Sequence, residues 1–283
     1  MLYEQTTLNC NGQLLDLSSP VVMGVLNITP DSFYENSRFT GVNAFLERME
    51  RMVTEGVSIL DIGGMSSRPG ADIISEKEEL MRVLPALKTA VKRFPKAIIS
   101  IDTIRSSVAR ACVGEGASII NDISAGKFDA QMFETVAELE NIPYILMHMK
   151  GKTLATMQYQ AEYKDDVTLE VLDFLIEKVG ILRGLGVKDI IVDAGFGFGK
   201  TTDHNFTLLK KMHVLKILEV PILAGLSRKT MIWKTLGITA DEALNGTSVL
   251  NLVALQQGAK ILRVHDVKEA VETIKLYQKL LAS

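Results

Sequence analysis

The chain has 283 residues, of which 47% are hydrophobic and 23% are charged, a balance typical of a globular protein with a sizeable core. A formal net charge of −3 argues against the basic surface of a nucleic-acid-binding protein, so no nucleic-acid partner is expected. Two distant cysteines, no secretory leader and no apolar run of 18 residues predict a cytoplasmic protein that does not enter a membrane.

The first 19 residues stand apart from the rest of the chain. An Asn11-Gly12 pair separates two short strand-like pieces, which is typical of a β-hairpin. We expect residues 1–19 to form an extension that caps one end of a single catalytic domain formed by residues 20–283.

Eight short apolar runs follow, rich in Ile, Val and Leu and mostly continuous rather than alternating. Such runs are typical of strands buried on both faces of a parallel sheet. They span residues 21–27, 57–64, 97–103, 117–124, 143–149, 188–195, 220–227 and 259–267.

Helical patterns separate the apolar runs. They cover residues 42–56, 75–94, 104–116, 129–141, 163–186, 203–218, 239–259 and 267–282, and Pro85 is expected to kink or split the second of them. Eight strand-then-helix units predict an α/β protein of the (β/α)8 TIM-barrel class. A doubly wound open sheet is the alternative, but the chain shows no linker to a second domain.

Every predicted strand places a polar group at its carboxyl end, where barrel enzymes build their active sites. Asp102, Asn121 and Asp193 suit the N–H and carbonyl groups of a flat heterocycle. A second set consists of cations or potential cations that suit phosphate oxygens, namely Arg68, Lys229, Arg263 and His265. The sequence therefore predicts a heterocycle deep in the barrel and a phosphate-type anion near its mouth.

Other polar residues have more ordinary explanations. Asp122 and Asp266 are typical turn formers or helix caps, and His204 and His213 belong to no motif. No zinc-binding pattern is present. Asn27 is a neutral oxygen donor that could hold one position of a Mg²⁺ ion otherwise bound by water and phosphate oxygens.

The stretch "DAGFGFGKTT", residues 193–202, ends like a phosphate-binding P-loop. A P-loop needs glycine where this chain has Ala194. We interpret the stretch as a strand end and the loop after it. Asp193 is its functional residue, and Lys200 and Thr201 are expected to lie at the entry of the next helix.

The ordered motifs resemble those of the dihydropteroate synthase family, enzymes of folate biosynthesis. They cover about residues 21 to 267 and read "GVLNITPDSF", "DIGGMSSRPGA", "SIDT", "IINDIS", "LMHMKG", "DAGFGFGK", "GLSRK" and "RVHDV". The resemblance implies a (β/α)8 barrel that joins 6-hydroxymethyl-7,8-dihydropterin diphosphate to p-aminobenzoate, giving 7,8-dihydropteroate and diphosphate. It also implies Mg²⁺, a homodimer and binding of sulfonamide inhibitors.

The resemblance assigns roles residue by residue. Pterin-binding residues are Asp102, Asn121, Met147, Asp193, Lys229 and Arg263. Residues that shape the p-aminobenzoate pocket are Phe33, Ser67, Pro69, Phe198 and Ser227. Diphosphate-binding residues are Asn27, Ser67, Arg68, Arg263 and His265, with Asn27 also on the metal. The catalytic set is Asp31, Arg68, Lys229, Arg263 and His265, with Asp31 stabilising a cation-like pterin methylene in an SN1-like step.

The chain departs from the family pattern at two positions. Met65 stands where the family usually has glutamate, and Ala194 stands where it usually has proline. Two other functions remain open. A methyltetrahydrofolate–corrinoid methyltransferase shares the barrel and the pterin pocket, but it has no diphosphate to bind. A non-catalytic pterin-binding homologue would be expected to lose loop or anion-binding residues.

Overall fold

A computed structural model of the protein describes residues 5–28, 38–65, 74–151, 162–164 and 166–283. It begins with a two-stranded antiparallel hairpin, β1 Thr7–Cys10 and β2 Gln13–Asp16. Asn11 and Gly12 both adopt positive φ, at 54° and 88°, as a two-residue hairpin turn requires. The expected hairpin is therefore present.

Eight parallel strands close into a barrel in the order β10-β3-β4-β5-β6-β7-β8-β9. They are β3 Val21–Asn27, β4 Ile59–Gly63, β5 Ile98–Asp102, β6 Ile119–Asp122, β7 Tyr144–Met147, β8 Ile190–Asp193, β9 Ile222–Ala224 and β10 Ala259–Val264. Nearly every residue in these strands is buried, which explains the continuous apolar runs. The (β/α)8 prediction is confirmed.

Helices surround the barrel. The described ones are α1 Arg38–Glu55, α2 Glu76–Arg93, α3 Ser106–Gly114, α4 Met132–Glu138, α5 Val167–Gly184, α6 Thr202–Lys210, α7 Thr230–Leu236, α8 Leu244–Gln256 and α9 Val267–Leu281. A 3-10 helix, Met212–Leu218, completes the stretch predicted as one helix over 203–218. None of the described helices has the length and apolar character needed to cross a membrane.

The helices differ from the prediction at two places. Pro85 does not split α2, which runs unbroken from Glu76 to Arg93, and a kink at this residue stays a prediction. Val83 and Leu87 on either side of the proline are fully buried, so packing on the barrel holds the helix together there. The short helix α7 was not predicted, because its seven residues give too few turns for a clear apolar period.

The hairpin closes the amino end of the barrel. Leu8, Cys10, Leu15 and Leu17 form one apolar cluster with the residues of the barrel strands nearest that end, including Ile59. Main-chain and side-chain hydrogen bonds attach the hairpin, from Asn11 N to the Asn141 carbonyl at 2.8 Å and from Asn9 N to Asp189 Oδ2 at 3.1 Å. The opposite, carboxyl end is left for the functional site. The division into residues 1–19 and 20–283 stays a prediction.

Candidate active site at the carboxyl ends of the strands

Strand register brings the predicted polar residues together at the carboxyl end of the barrel. Asn27 pairs with Gly63, Gly63 with Asp102, Asp102 with Asn121, and Met147 with Asp193. Because the strands are parallel, these side chains share one end of the barrel.

Arg263 on β10 reaches across the barrel mouth to two carboxylates. Its Nη2 lies 2.6 Å from Oδ2 of Asp61 on β4 and 2.8 Å from Oδ2 of Asp102 on β5. Its Nε donates to the same oxygen of Asp61 at 2.7 Å. Nη1 donates to none of the residues that the structure describes, so two N–H groups of the guanidinium stay available to a ligand.

Asp61 is a site residue that the sequence analysis did not single out. Its carboxylate is buried, Asn121 Nδ2 donates to its Oδ2 at 3.1 Å, and its Oδ1 has no partner within the described part of the chain. The signal was its place inside the apolar strand "ILDIG", since an acid in a strand covered on both faces needs a buried partner.

Burial and the neighbouring charges shift the pKa values of Asp102 and Arg263. Burial raises the pKa of Asp102 above the usual range, with the guanidinium of Arg263 opposing the shift and Asp61 adding to it. Burial alone would lower the pKa of Arg263, but the carboxylates of Asp61 and Asp102 outweigh that effect and raise it. Arg263 therefore stays charged, and Asp102 gains a proton at a higher pH than an ordinary carboxyl.

Asp193 and Lys229 lie on the other side of the barrel mouth. Asp193 Oδ1 accepts a hydrogen bond from Gly195 N at 2.7 Å, and Lys229 Nζ lies 4.3 Å from the ring centroid of Phe198. Burial raises the pKa of Asp193 and lowers the pKa of Lys229 to about 8. Lys229 thus changes charge in mildly alkaline solution rather than near pH 10.

Ser227 and His265 form a pair at the rim. The hydroxyl of Ser227 lies 3.0 Å from His265 Nδ1 and accepts from His265 N at 3.2 Å. Burial, and after it the charge of Arg263, lowers the pKa of His265 to about 4. His265 is therefore neutral in the free protein rather than the cation considered above. In the tautomer in which the Ser227 hydroxyl donates to Nδ1, the ring proton lies on Nε2.

Asn27 is a half-buried oxygen donor next to free space. A Cβ on Gly63 would lie 3.4 Å from both Asn27 Oδ1 and Asp102 Cβ, so the glycine keeps the gap between these two side chains open. Within the described ranges, no three His, Cys, Asp or Glu residues gather to hold a metal. The one amide oxygen of Asn27 fits a hard divalent cation that takes its other ligands from waters or from a bound substrate.

An apolar wall lines the same end of the barrel. Met147 and Phe198, both predicted to contact substrate, pack in one cluster with Met65, Ile104, Ile123 and Met149. Such a wall suits the faces of flat aromatic ligands.

Comparison with known proteins identifies the family. The model of the pterin binding enzyme family matches residues 23–265. The chain is 41% identical to the dihydropteroate synthase of Haemophilus influenzae, over 96% of this chain and 98% of that one. It is 39% identical to the enzyme of Escherichia coli K12, over 96% and 95% of the two chains. The chain belongs to the dihydropteroate synthase family.

Solved structures of the family superpose closely on this one. A Xanthomonas albilineans dihydropteroate synthase with 4-aminobenzoic acid gives a TM-score of 0.89 at 39% identity, covering 98% of this chain and 99% of that chain. The same organism's enzyme in complex with 7,8-dihydropteroate gives 0.85 at 35%, covering 99% and 100%. A Yersinia pestis dihydropteroate synthase with a sulfonamide drug gives 0.90 at 36%, covering 98% and 100%.

Both departures from the dihydropteroate synthase pattern are buried. Met65 is 7% exposed and packs in the apolar wall, where the usual glutamate would need a partner for its charge. Ala194 is fully buried directly after Asp193 and leaves the hydrogen bond from Gly195 N to Asp193 intact.

Five predicted residues, Asp31, Phe33, Ser67, Arg68 and Pro69, lie outside the described residues. Asp122 is a turn former, as expected, since its carboxylate accepts from Ser124 N and Gly126 N, each at 2.7 Å. Asp266 lies at the N-cap position of α9 but makes no side-chain capping hydrogen bond there, and it pairs with Arg228 at 2.9 Å instead.

The two residues predicted at the entry of α6 differ in role. Thr201 is its N-cap, since its hydroxyl accepts from His204 N at 3.1 Å. Lys200 is not simply an entry residue, because its side chain turns inward and is buried.

Proposed function

We propose that this chain is an alkyl-transferring enzyme that joins 6-hydroxymethyl-7,8-dihydropterin diphosphate to p-aminobenzoate, releasing 7,8-dihydropteroate and diphosphate. The observation that carries the proposal is identity of about 40% to dihydropteroate synthases over 96% of the chain. The polar cluster at the barrel mouth supports it, because it combines acceptors for a heterocycle with donors for an anion.

The pterin would lie deep in the mouth. Asp102, Asn121 and Asp193 supply oxygens for its N–H groups, and Lys229 supplies a donor for its carbonyl. Met147 packs in the apolar wall against one ring face. The unpartnered Oδ1 of Asp61 adds one more buried acceptor. A polar ligand there would satisfy groups that are costly to leave unpaired.

The diphosphate would lie between β3 and β10. Nη1 of Arg263 and the Nε2 proton of His265 can donate to its oxygens, and Ser67 and Arg68 belong to the same proposed set. Asn27 would hold a Mg²⁺ ion that neutralises charge on the leaving group. A neutral His265 acts here as a hydrogen-bond donor, and a bound anion would raise its pKa.

The p-aminobenzoate would bind against Phe198 and Ser227, with Phe33, Ser67 and Pro69 completing the pocket. The related Xanthomonas albilineans structure with 4-aminobenzoic acid supports this substrate. Sulfonamides are proposed to compete for the same place, as the Yersinia pestis complex suggests.

The reaction breaks the bond between the pterin methylene carbon and the diphosphate oxygen, and the electron pair leaves with diphosphate. Arg263 and His265 stabilise the growing negative charge, and Asp31 stabilises the cation-like methylene. The arylamine nitrogen then forms the new C–N bond and loses a proton. Because an arylamine is already neutral near pH 7, this step needs no strong base.

We further propose a cytoplasmic homodimer. Exposed apolar side chains on α8 and α9 support an interface, with Val249 53%, Leu276 73% and Leu280 63% exposed. Light scattering on the purified protein is expected to give twice the mass of one chain, and a monomeric mass would refute the dimer.

Product formation tests the activity. The protein, Mg²⁺, the pterin diphosphate and isotope-labelled p-aminobenzoate should give labelled 7,8-dihydropteroate and one diphosphate per product, measured by mass spectrometry. Diphosphate release should stop when p-aminobenzoate is omitted. Pterin binding without product would favour the non-catalytic homologue, and methyl transfer from methyltetrahydrofolate would favour the methyltransferase.

A further inference from the structure

Lys200 has a buried ammonium group for which the proposed reaction has no use. Its side chain is 8% exposed, although it lies directly before the N-cap of α6. Its Nζ lies 2.8 Å from the Gly195 carbonyl, 3.3 Å from the Phe198 carbonyl and 2.9 Å from Nδ1 of His148. The His148 carbonyl lies farther away, at 3.5 Å, so four acceptors surround a group that has at most three donors.

His148 is suited to accept this hydrogen bond. Burial lowers its pKa well below the usual value, and the cations of Lys200 and Lys150 lower it further, so the ring is neutral near pH 7. Burial also lowers the pKa of Lys200 to about 7, with Asp193 opposing the shift. The aromatic rings of Phe174 and Tyr163 pack beside the histidine and fix its plane.

The loop that Lys200 binds, residues 194–199, packs tightly against the residues that follow β7. Gly195 and Gly199 both have φ of 67°. A Cβ on Gly195 would lie 1.8 Å from the His148 carbonyl oxygen, and one on Gly199 would lie 2.4 Å from that of Lys150. Only glycine allows this approach, so residues 194–199 lie directly against residues 148–150.

The same loop carries parts of the candidate site. Phe198 lies under the ammonium of Lys229, and a Cβ on Gly197 would lie 3.4 Å from Lys229 Cδ. Asn205 holds the loop from α6, since its Oδ1 accepts from Gly197 N at 2.8 Å. A shift of the loop would therefore move Phe198. The backbone of Asp193 is fixed by its strand, although its carboxylate also accepts from Gly195 N in the loop.

We propose that Lys200 is a positioning residue for p-aminobenzoate binding. Its amino group acts as an internal hydrogen-bond donor that ties the Gly195 and Phe198 carbonyls to His148 and so fixes Phe198 in the apolar wall of the pocket. The substrate assignment rests on the proposed function, whereas the ordering of the loop does not.

Hydrogen exchange tests the ordering of the loop in the free protein. Lys200→Met keeps the side-chain length and removes all three donors, and Lys210→Met on the exposed face of α6 is the matched control. The amides of residues 195–199 should exchange about tenfold faster in Lys200→Met, because the hydrogen bonds from Lys200 to the Gly195 and Phe198 carbonyls order this segment. Their exchange should be unchanged in the control. Unchanged exchange in Lys200→Met would overturn the proposal.

Steady-state kinetics test the role in substrate binding. Lys200→Met should raise KM for p-aminobenzoate by about tenfold and change KM for the pterin diphosphate by less than about threefold. Lys200→Gln, which keeps one side-chain amide donor, should recover part of the loss and replaces Lys200→Met if that variant does not fold. Equal increases in both KM values would overturn the role. A wild-type protein without synthase activity would instead refute the proposed function. The exchange result would still show whether Lys200 orders the loop.

Discussion

Arg263 is held between carboxylates from two neighbouring strands, and this arrangement decides how its charge can be used. Asp61 and Asp102 take up Nε and Nη2, which fixes the plane of the guanidinium and leaves Nη1 for a ligand. A preorganised donor of this kind stabilises charge without rearranging during the reaction.

Removing this side chain is expected to affect both activity and stability. Arg263→Ala should lower kcat by about a hundredfold or more, because a fixed donor to the leaving group is lost. It should also lower the free energy of unfolding by about 3–5 kcal/mol, since two buried carboxylates lose their partner.

The control is Arg93→Ala, whose ion pair with Glu50 is exposed and should be worth less than about 1 kcal/mol. Steady-state kinetics and urea unfolding measure the two effects. Turnover of Arg263→Ala within about threefold of wild type would contradict the role given to Arg263.

His265 gives a pH-dependent prediction. Its pKa is about 4 in the folded protein and close to its usual value of 6.5 when unfolded. Between these values the unfolded state binds more protons, so this residue's contribution to stability is complete above about pH 6.5 and declines as the pH falls toward about 4. NMR titration of labelled histidines, with His265→Gln to assign the signal, should give the low pKa. A titration near 6.5 in the free protein would refute it.

At the scale of elements, the hairpin and the barrel strands have separate roles, one in stability and one in forming the site. The hairpin buries Leu8 and Leu17 completely at the amino end, and the strands present polar groups at the other end. Changes in the hairpin should therefore affect stability and leave the site unchanged.

A matched pair of leucines tests this separation. Leu17→Ala should lower the free energy of unfolding by about 2–5 kcal/mol, the usual result of creating a cavity in a core. Leu14→Ala, at a side chain that is 76% exposed, should change it by less than about 0.5 kcal/mol. Both variants should keep the wild-type KM values. A rise in KM with Leu17→Ala would show that the hairpin influences the carboxyl end.

Local sequence patterns predict the bounds of some elements and not of others. Strand β3 has the predicted bounds because its apolar run ends at a polar residue. The helix predicted over 239–259 instead begins at Leu244, and α7 forms in a stretch with no helical prediction. Packing against neighbouring elements, which no short window contains, decides such cases.

At the scale of the whole molecule, periodicity predicts the barrel, and the barrel predicts the end at which the site lies. Asp102, Asn121, Asp193 and Arg263 could be found in this way, because each is the last or the second-last residue of a buried strand. Asp61 could not be found in this way, because it lies two residues before the end of β4. Its role depends on Arg263, which reaches it from β10. The inward turn of Lys200 likewise depends on a loop packed against another strand end.

The most direct test of the account is a crystal structure of the protein with Mg²⁺ and an unreactive analogue of the pterin diphosphate. The account predicts that the pterin ring lies at the carboxyl end of the barrel. Its N–H groups should be about 3 Å from oxygens of Asp102, Asn121 and Asp193, and its diphosphate should be at a similar distance from Arg263 and His265. A pterin bound elsewhere, with the Asp61–Arg263–Asp102 cluster unchanged and free of ligand, would contradict it.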